Sequence, residues 1–249
     1  MRIRTERVVE HVVEVVLDVP PVNALGTADF LELARVVTEL GRDPSVHALL
    51  LRSAVERGFA AGVDVGELTA GGPAALVAVT RACADAYGAV DECEVPVVAA
   101  VHGFCLATGV GLVGGADVVV AAADATFGLP EVDAGGLGTA TQLARLVPEK
   151  KDRWIAYSGT RVGADALARW GGVDQVVPRH RLLGSAREVA ATLAAKSPTV
   201  LRRARASLHA IDPADARRSF RREMGLVFEL NLTPAPEAAR AAFAERRAR

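Results

Sequence analysis

Three segments rich in small residues carry the chemistry that this sequence could perform. They span residues 59–68, 102–112 and 127–137, and each follows an apolar run typical of a buried strand. Small side chains leave backbone N–H groups accessible, and the start of a helix directs such groups at an anion or a developing oxyanion. A tight turn would explain one such segment, but three in succession indicate a site where the backbone approaches a ligand.

One acidic residue of the third segment is suitably placed to move a proton. Glu131 lies in a glycine-rich stretch, a setting that suits a pocket, and Asp133 two residues later is a candidate second acid or a surface aspartate. His102 and Cys105 are better explained as structural residues of the second segment. The five histidines are scattered along the chain, so we expect no metal site.

A dinucleotide-binding pattern also occurs in the second segment. Gly109-Val-Gly-Leu-Val-Gly114 satisfies G-x-G-x-x-G, a fingerprint that requires its first glycine at the end of a strand and a helix after its last. Here eight positions separate the strand end at Val101 from Gly109, and the next strand follows Gly114 too closely for a crossover helix. We therefore reject a nicotinamide cofactor.

The composition excludes several classes of protein. The 249 residues include 29 basic and 30 acidic side chains, and a net charge of −1 provides no field that attracts nucleic acid. Three cysteines are too few for a disulfide framework. We find neither a signal peptide nor an apolar run of the roughly 20 residues that cross a bilayer. We expect a cytoplasmic protein with no nucleic-acid or membrane partner.

The elements that position the three segments alternate between strand and helix. Apolar runs predict strands at residues 48–52, 96–101 and 118–122, and the β-branched stretch 8–19 predicts a hairpin. Helical spacing predicts helices over residues 27–40 and 73–90, the first with a Thr27 cap and ended by Gly41. This order predicts an α/β fold with mostly parallel strands.

From residue 181 onward the pattern is helical. Helices are predicted over residues 182–195, 198–209, 213–230 and 236–247, each with a proline or small polar residue at its start. We therefore divide the chain into an α/β core, residues 1–195, and a helical C-terminal region, residues 196–249, suited to oligomerisation. Seven arginines lie between residues 202 and 222 of this region. We interpret these arginines as the solvent-exposed faces of helices, and the alternative is that they help to bind an anionic ligand.

In order and separation, the three segments resemble the signature segments of the enoyl-CoA hydratase/isomerase (crotonase) superfamily. Further similarity at residues 18–25, 154–159, 173–178, 195–198 and 242–247 extends the resemblance over nearly the whole chain. It implies a crotonase-like spiral of β-β-α turns with a helical C-terminal region, assembled as a homotrimer or as a hexamer of two trimers. It also implies an acyl-CoA thioester substrate, with CoA arriving as part of the substrate and no separate cofactor.

The resemblance assigns roles to individual residues. The backbone N–H groups of Val63 and Thr108 would form an oxyanion hole for the thioester enolate, where losing one donor typically costs about 2.7–4 kcal/mol of barrier. Glu131 would be the main acid/base. The residues implied to border the CoA substrate are Ala24, Leu25, Ala61, Gly62, Asp64, Val65, Gly66 and Gly109.

One position departs from the pattern of the family's hydratases. Those enzymes use two glutamates, and the first falls on Gly111 in this sequence. Hydration needs one carboxylate to position water and another to deliver a proton. Isomerisation, or C–C hydrolysis of a cyclic acyl-CoA, is therefore favoured. Two alternatives stay open: an ordinary enoyl-CoA hydratase of fatty-acid β-oxidation, with Asp133 replacing the missing glutamate, and a non-catalytic acyl-CoA-binding protein.

A narrower resemblance within the family points to ring opening. Residues 103–114, 127–132, 141–148 and 228–232 are similar to the CoA-dependent hydrolases that open the last steroid rings in bacterial cholesterol breakdown. That enzyme type also has glycine at the position of Gly111, and it cleaves a C–C bond in a cyclic β-keto thioester. Two departures remain, because Ala107-Thr108 replaces a Gly-Gly pair and His102 replaces the usual asparagine.

Overall fold

A computed structural model describes residues 2–212, 215–234, 236 and 239 of the chain. The strands are β1 (Ile3–Val9), β2 (Val12–Leu17), β3 (Ala24–Leu25), β4 (Ala48–Ser53), β5 (Gly58–Ala60), β6 (Gly62–Val63), β7 (Val97–Val101), β8 (Phe104–Leu106), β9 (Val118–Ala122), β10 (Thr126–Gly128), β11 (Val162–Gly163) and β12 (Gln175–Val177). The helices are α1 (Thr27–Arg42), α2 (Val65–Asp91), α3 (Thr108–Gly114), α4 (Ala140–Leu143), α5 (Glu149–Ser158), α6 (Ala164–Trp170), α7 (Leu182–Ala194), α8 (Pro198–Ile211) and α9 (Ala216–Asn231). Short 3-10 turns cover Pro130–Ala134 and Arg179–Arg181.

The main sheet has six strands in the order β1-β2-β4-β7-β9-β12. Only the β1–β2 pair of this sheet is antiparallel, and the remaining neighbours run parallel. Every residue of β7 is buried, as expected for a parallel strand covered on both faces. The prediction of an α/β fold with mostly parallel strands is confirmed.

A second sheet, in the order β11-β10-β8-β5, brings the three segments together. Strands β5, β8 and β10 belong to the first, second and third segment, and β8 pairs in parallel with both of the others. The carboxyl ends of parallel neighbours meet at the same edge of a sheet. Each long strand β4, β7 and β9 is followed by one of these short strands, so the chain winds as repeated β-β turns.

The hydrophobic core has two parts, one on each face of the main sheet. The larger part includes buried side chains of α1, α2 and α3 together with those of the main-sheet strands. The smaller part lies under α7, whose Leu182, Ala186, Ala190 and Ala194 recur every fourth residue. This spacing puts small side chains on one helix face, which lets α7 approach the sheet closely.

Three predicted boundaries near the N-terminus were wrong. Strand β1 begins at Ile3, so the hairpin starts earlier than residue 8, with Val9 paired to Val12 beside its turn. Helix α1 has its N-cap at Gly26, where the Asp29 carboxylate accepts the Gly26 N–H at 2.8 Å, and it continues through Gly41 to Arg42. Helix α2 begins at Val65, and its non-helical Gly72 separates a first part from the predicted helix.

The described C-terminal elements follow the predicted helices closely. Helix α7 ends at Ala194 and α8 at Ile211, while α9 spans Ala216–Asn231. The predicted helix over residues 236–247 lies outside the described residues, apart from positions 236 and 239. The division at residue 195 stays a prediction and falls between α7 and α8. In the part of the chain that the structure describes, no helix is both long and apolar enough to cross a membrane.

Candidate active site

The first and second segments pack backbone against backbone. A Cβ atom added to Gly109 would lie 3.1 Å from the carbonyl oxygen of Ala60, and one added to Gly62 would lie 3.1 Å from the Cβ of Ala107. Gly62 also has φ +123°, a conformation that L side chains rarely adopt. Larger residues at these two positions would separate the segments, so the glycines permit their close approach.

This junction holds the two N–H groups predicted to form an oxyanion hole. Across the β3–β6 pair, the Asp64 N–H donates to a carbonyl of β3 at 2.8 Å. Successive N–H groups of an extended strand point in opposite directions, so the Val63 N–H faces away from β3. Thr108 is the first residue of α3, where N–H groups have no partner inside the helix. Both groups are therefore free of the local backbone ladders.

Ala107, which precedes Thr108, has an unusual backbone conformation. Its φ of 52° lies in the left-handed region although the residue is not glycine. Its N–H donates to the carbonyl of Gly128 at 3.1 Å, and its carbonyl accepts the Gly111 N–H at 3.1 Å. The first bond holds the start of α3 against β10, and the second is the first bond of the helix itself. The strained turn thus fixes the direction of the N–H that follows.

The main predicted acid/base, Glu131, lies on the 3-10 turn after β10. The Thr139 hydroxyl donates to its Oε1 at 3.1 Å. Its Oε2 is buried without a hydrogen-bond partner among the described residues, and Thr108 Oγ1 is in the same situation. Buried polar atoms are nearly always paired in native proteins. The two oxygens therefore mark where a substrate or water would bind.

Burial gives Glu131 a proton affinity suited to acid/base chemistry. Removal of the carboxyl from water raises its pKa to about 7, and the nearby charge of Glu223 acts in the same direction. Hydrogen bonds from the backbone and from Thr139 oppose this shift. A carboxyl that titrates near neutral pH can accept a proton in one step and return it in the next.

Glu223 supports the site from α9. Its carboxylate accepts the N–H groups of Ala140 and Thr141 at 2.8 and 3.1 Å, and the Thr141 hydroxyl at 2.7 Å. These bonds cap α4 and hold the chain next to Thr139, the partner of Glu131. Sequence reasoning missed Glu223 because it follows two arginines on a polar helix, where an acidic residue indicates only a solvated face.

A tyrosine occupies the space in front of Gly111. A Cβ atom added to Gly111 would lie 2.6 Å from the phenol oxygen of Tyr87 and closer still to two of its ring carbons. The Tyr87 side chain is 3% exposed on α2, and its ring lies edge-on to that of Phe220, with the ring centroids 5.2 Å apart. Sequence reasoning identified the missing glutamate but not the side chain that replaces it, because α2 is remote from α3 along the chain.

Asp133, the candidate second acid, is exposed on the same turn as Glu131. Its Oδ2 would lie 2.8 Å from a Cβ atom added to Gly159, at the end of α5. The turn therefore buries the carboxyl of Glu131 and presents that of Asp133 to the end of α5.

Most of the residues expected to border CoA lie along one strip, which the β3–β6 pair and the start of α2 form, whereas Gly109 lies on α3. In the β3–β6 pair, Ala24 is in register with Gly62, and Leu25 with Val63. Ala61 precedes the strip, its N–H donating to the carbonyl of Val22 at 3.1 Å.

The strip continues into the first turn of α2. The Asp64 carboxylate caps the helix by accepting the Gly66 N–H at 2.9 Å, and Val65 is 62% exposed. Glu67 accepts the N–H of Thr27 at 3.0 Å, which joins the starts of α2 and α1. The strip is thus held by both helices and leaves Val65 in contact with solvent.

His102 and Cys105 have structural surroundings, as the sequence indicated. The His102 Nε2 lies 2.9 Å from the carbonyl oxygen of Val55, and burial lowers the pKa of the ring. Burial raises the pKa of the Cys105 thiol far above its usual range, which makes it a poor nucleophile. Within residues 2–212 and 215–234, no group of three or more histidine, cysteine or acidic side chains could hold a metal ion.

Comparison with known proteins adds information that agrees with this geometry. A family model described as enoyl-CoA hydratase/isomerase matches residues 7–249. The (7aS)-7a-methyl-1,5-dioxo-2,3,5,6,7,7a-hexahydro-1H-indene-carboxyl-CoA hydrolase of Rhodococcus jostii is 49% identical over 237 residues, covering 95% of this chain and 92% of its own. The enzyme of the same name from Mycobacterium tuberculosis is 45% identical, covering 94% and 95%. Among solved structures, an enoyl-CoA hydratase/isomerase from Xanthobacter autotrophicus has a TM-score of 0.89 at 26% identity, covering 99% and 93%.

Proposed function

The chain belongs to the enoyl-CoA hydratase/isomerase (crotonase) family of enzymes, and from this premise we propose that it hydrolyses a C–C bond of a cyclic acyl-CoA. The observation that carries the proposal is the pairing of Gly111 with Tyr87. Where a hydratase has its second carboxylate, this chain has a glycine with the Tyr87 ring packed against it, so Glu131 is left as the main acid/base. Water addition to a ring ketone and enolate protonation can both use that one carboxyl.

The proposed substrate is a bicyclic diketone that carries a CoA thioester. Two hydrolases with 49% and 45% identity over nearly the whole chain are named for such a compound. A ketone placed β to the thioester is chemically suited to this site, because cleavage beside the ketone leaves its electrons on the thioester enolate. CoA enters as part of the substrate, and the proposed reaction needs no separate cofactor.

In the first step of the proposed mechanism, Glu131 removes a proton from water, and the hydroxide adds to the ring ketone carbon. The bond from that carbon to the thioester α-carbon then breaks, and its electron pair forms the thioester enolate. The N–H groups of Val63 and Thr108 hydrogen-bond the enolate oxygen, in the manner of an oxyanion hole. Protonated Glu131 returns the proton to the α-carbon. The net change is one water added across the broken C–C bond.

Double-bond isomerisation is the second candidate, because a single base that shuttles a proton on an enoyl thioester uses the same enolate. The burial of Glu131 favours both reactions over a non-catalytic binding protein. Burial raises the pKa of its carboxyl to about 7, and a carboxyl with such a pKa is suited to proton transfer. An ordinary hydratase needs a second carboxylate. Tyr87 fills the space where that carboxylate would begin, next to Gly111. Asp133, the candidate replacement, lies beside Gly159 and not at this position.

We also propose that Ala24, Leu25, Ala61, Gly62, Asp64, Val65, Gly66 and Gly109 border the CoA portion of the substrate. A homotrimer, or a hexamer of two trimers, is the proposed assembly, with the helical C-terminal region at its interfaces. Light scattering that found a stable monomer at micromolar concentration would contradict this assembly.

The experiment that tests the function is a substrate screen by mass spectrometry. Purified protein is incubated with a bicyclic diketone carboxyl-CoA, a monocyclic β-keto acyl-CoA and a straight-chain enoyl-CoA. We expect rapid gain of one water by the cyclic diketone and slow change in the enoyl substrate. If the enoyl thioester were hydrated rapidly and the cyclic compounds left unchanged, the protein would be a hydratase.

A further inference from the structure

Building on the proposed ring-opening function, we propose that Tyr87 is a second catalytic residue. Its phenolic O–H would hydrogen-bond the ring ketone oxygen while water adds to the ketone carbon. Tyr87 thereby takes the place, but not the chemical role, of the glutamate that hydratases carry at the position of Gly111.

The location of the phenol is fixed by α3. The oxygen of Tyr87 lies 2.6 Å from the position that a Cβ atom of residue 111 would occupy. Any side chain at residue 111 would leave α3 through this point, so the phenol stands at the base of the path that the hydratase glutamate follows toward the substrate. Thr108, the proposed enolate donor, lies one helical turn earlier on α3, so the two groups share one short rigid element.

A neutral phenol is suited to the negatively charged intermediate of ring opening. Hydroxide addition converts the ketone oxygen to an alkoxide, and a carboxylate at this point would repel it. Burial raises the pKa of Tyr87 well above its usual value, and the charges of Glu131 and Glu223 raise it further, so the phenol stays neutral and protonated. A neutral O–H donor stabilises a developing alkoxide in the same way as an oxyanion-hole donor.

A substrate oxygen would be a stronger acceptor for the phenol than the neighbouring thiol. Cys83 lies one turn before Tyr87 on α2, and sulfur is only a weak acceptor. An oxygen that carries negative charge is a much stronger acceptor. Phe220 packs edge-on against the ring and keeps the phenol in place while its O–H reorients.

The step balances without any additional reagent. Glu131 takes one proton from water, the hydroxide oxygen bonds to the ketone carbon, and the ketone π electrons move to the oxygen held by Tyr87. When the carbonyl re-forms as a carboxylic acid, the C–C bond breaks and its electrons pass to the thioester enolate. Tyr87 keeps its proton throughout, and Glu131 delivers its proton to the α-carbon.

The test is Tyr87→Phe, which keeps the ring and its packing but removes the donor. We expect kcat for ring opening to fall about 10²-fold to 10³-fold, the usual loss for one oxyanion donor, with little change in KM. Exchange of the α-proton of the ring-opened product in D₂O needs only Glu131 and the enolate donors, so we expect it to stay within about 3-fold of the wild type. The matched control is Tyr157→Phe, which removes the same atom from a 73% exposed side chain, and we expect no change.

The outcomes separate this inference from the proposed function. A wild-type protein that neither opens the ring nor exchanges the α-proton contradicts the function itself. Ring opening by the wild type that survives in Tyr87→Phe overturns the role of Tyr87. Equal loss of ring opening and exchange, with a lowered melting temperature, also overturns it by showing a structural role.

A second measurement tests the contact with the phenol kept and one ring hydrogen replaced by fluorine. Tyr87 and Tyr157 are the two tyrosines of the chain. In a Tyr157→Phe background, 3-fluorotyrosine therefore labels position 87 alone. We expect its ¹⁹F resonance to shift when a non-hydrolysable cyclic ketone analogue of the substrate is added. An unchanged resonance at saturating analogue would overturn the proposed contact.

Discussion

At the scale of single residues, the proposed chemistry depends on how strongly Glu131 holds a proton. Its carboxyl is buried beside Thr139, and its pKa of about 7 follows mainly from lost hydration. A general base must be ionised before it can act. The same burial that makes the carboxyl a useful base also makes its ionisation costly to the folded protein.

The first prediction concerns turnover. Glu131→Gln keeps the size of the side chain and its acceptor for Thr139 but removes the base, so we expect turnover to fall by about 10²-fold or more. Acyl-CoA binding, measured by calorimetry, is expected to persist. In the wild type, kcat/KM is expected to rise with pH and to level off above pH of about 7, where Glu131 is ionised. Turnover of Glu131→Gln near the wild-type rate would remove Glu131 from the mechanism.

The second prediction concerns stability, whose sign follows from the raised pKa. The folded state binds the Glu131 proton more tightly than the unfolded state, whose carboxyl titrates near 4.5. Stability is therefore lost as pH rises from about 4.5 to about 7. Glutamine carries no such cost, so Glu131→Gln is expected to be more stable at pH 8 by on the order of 3 kcal/mol. Urea unfolding at pH 8 and pH 5 checks this, since the difference is expected to shrink at pH 5.

At the scale of elements, α2 and α3 interlock at the site. Tyr87 of α2 fills the space in front of Gly111 of α3, and Phe220 of α9 packs against the same ring. Three helices thus meet at one buried contact. The contact leaves no room for a Cβ atom at residue 111.

The third prediction tests this contact. Gly111→Ala adds a Cβ atom at 2.6 Å from the Tyr87 oxygen, and we expect it to destabilise the protein by about 1–3 kcal/mol. The matched control is Gly184→Ala on α7, where an added Cβ meets nothing within 4 Å. There the better helix propensity of alanine is expected to raise stability by up to about 1 kcal/mol. Thermal unfolding of both variants decides the point. Equal behaviour of the two would show that Tyr87 is not packed on Gly111.

The sequence predicted the strands and helices better than it predicted the tertiary contacts between them. Hydrophobic spacing placed β4, β7 and β9 within one residue of their observed bounds, because a buried parallel strand is a continuous apolar run. The resemblance of the three segments identified Glu131 and Gly111 as the informative positions. Tyr87 and Glu223 were missed, because each reaches the site across a tertiary contact that no local pattern encodes.

At the scale of the whole molecule, a buried arginine attaches α8 to the core. Arg205 of α8 is 5% exposed, and its guanidinium donates to Asp117 Oδ2 at 3.0 Å. It also donates to the backbone carbonyls of Val90 at 3.0 Å and of Cys93. One side chain thus joins α8 to the end of α2 and to the approach to β9.

The fourth prediction removes this attachment. Arg205→Ala removes the cation beside the partly exposed Asp117, which keeps its bond from the Val97 N–H, and takes one donor from each of two carbonyls. We therefore expect a loss of about 1–3 kcal/mol in stability. Arg203→Ala is the control on the same helix, because its side chain is exposed, and we expect a change within about 0.5 kcal/mol. Denaturant unfolding measures both. Hydrogen exchange is expected to show faster exchange along α8 in Arg205→Ala. An unaffected α8 would mean that other contacts hold it to the core.

The contact between Gly111 and Tyr87 also limits the routes by which this chain could evolve. Glutamate introduced at position 111 alone would collide with the phenol, and loss of the ring at position 87 alone would leave a cavity with no carboxylate to use it. Each single substitution is therefore harmful, although the pair together could restore a two-carboxylate site. This pattern is reciprocal sign epistasis, in which either substitution alone is expected to lower fitness while the two together could recover it.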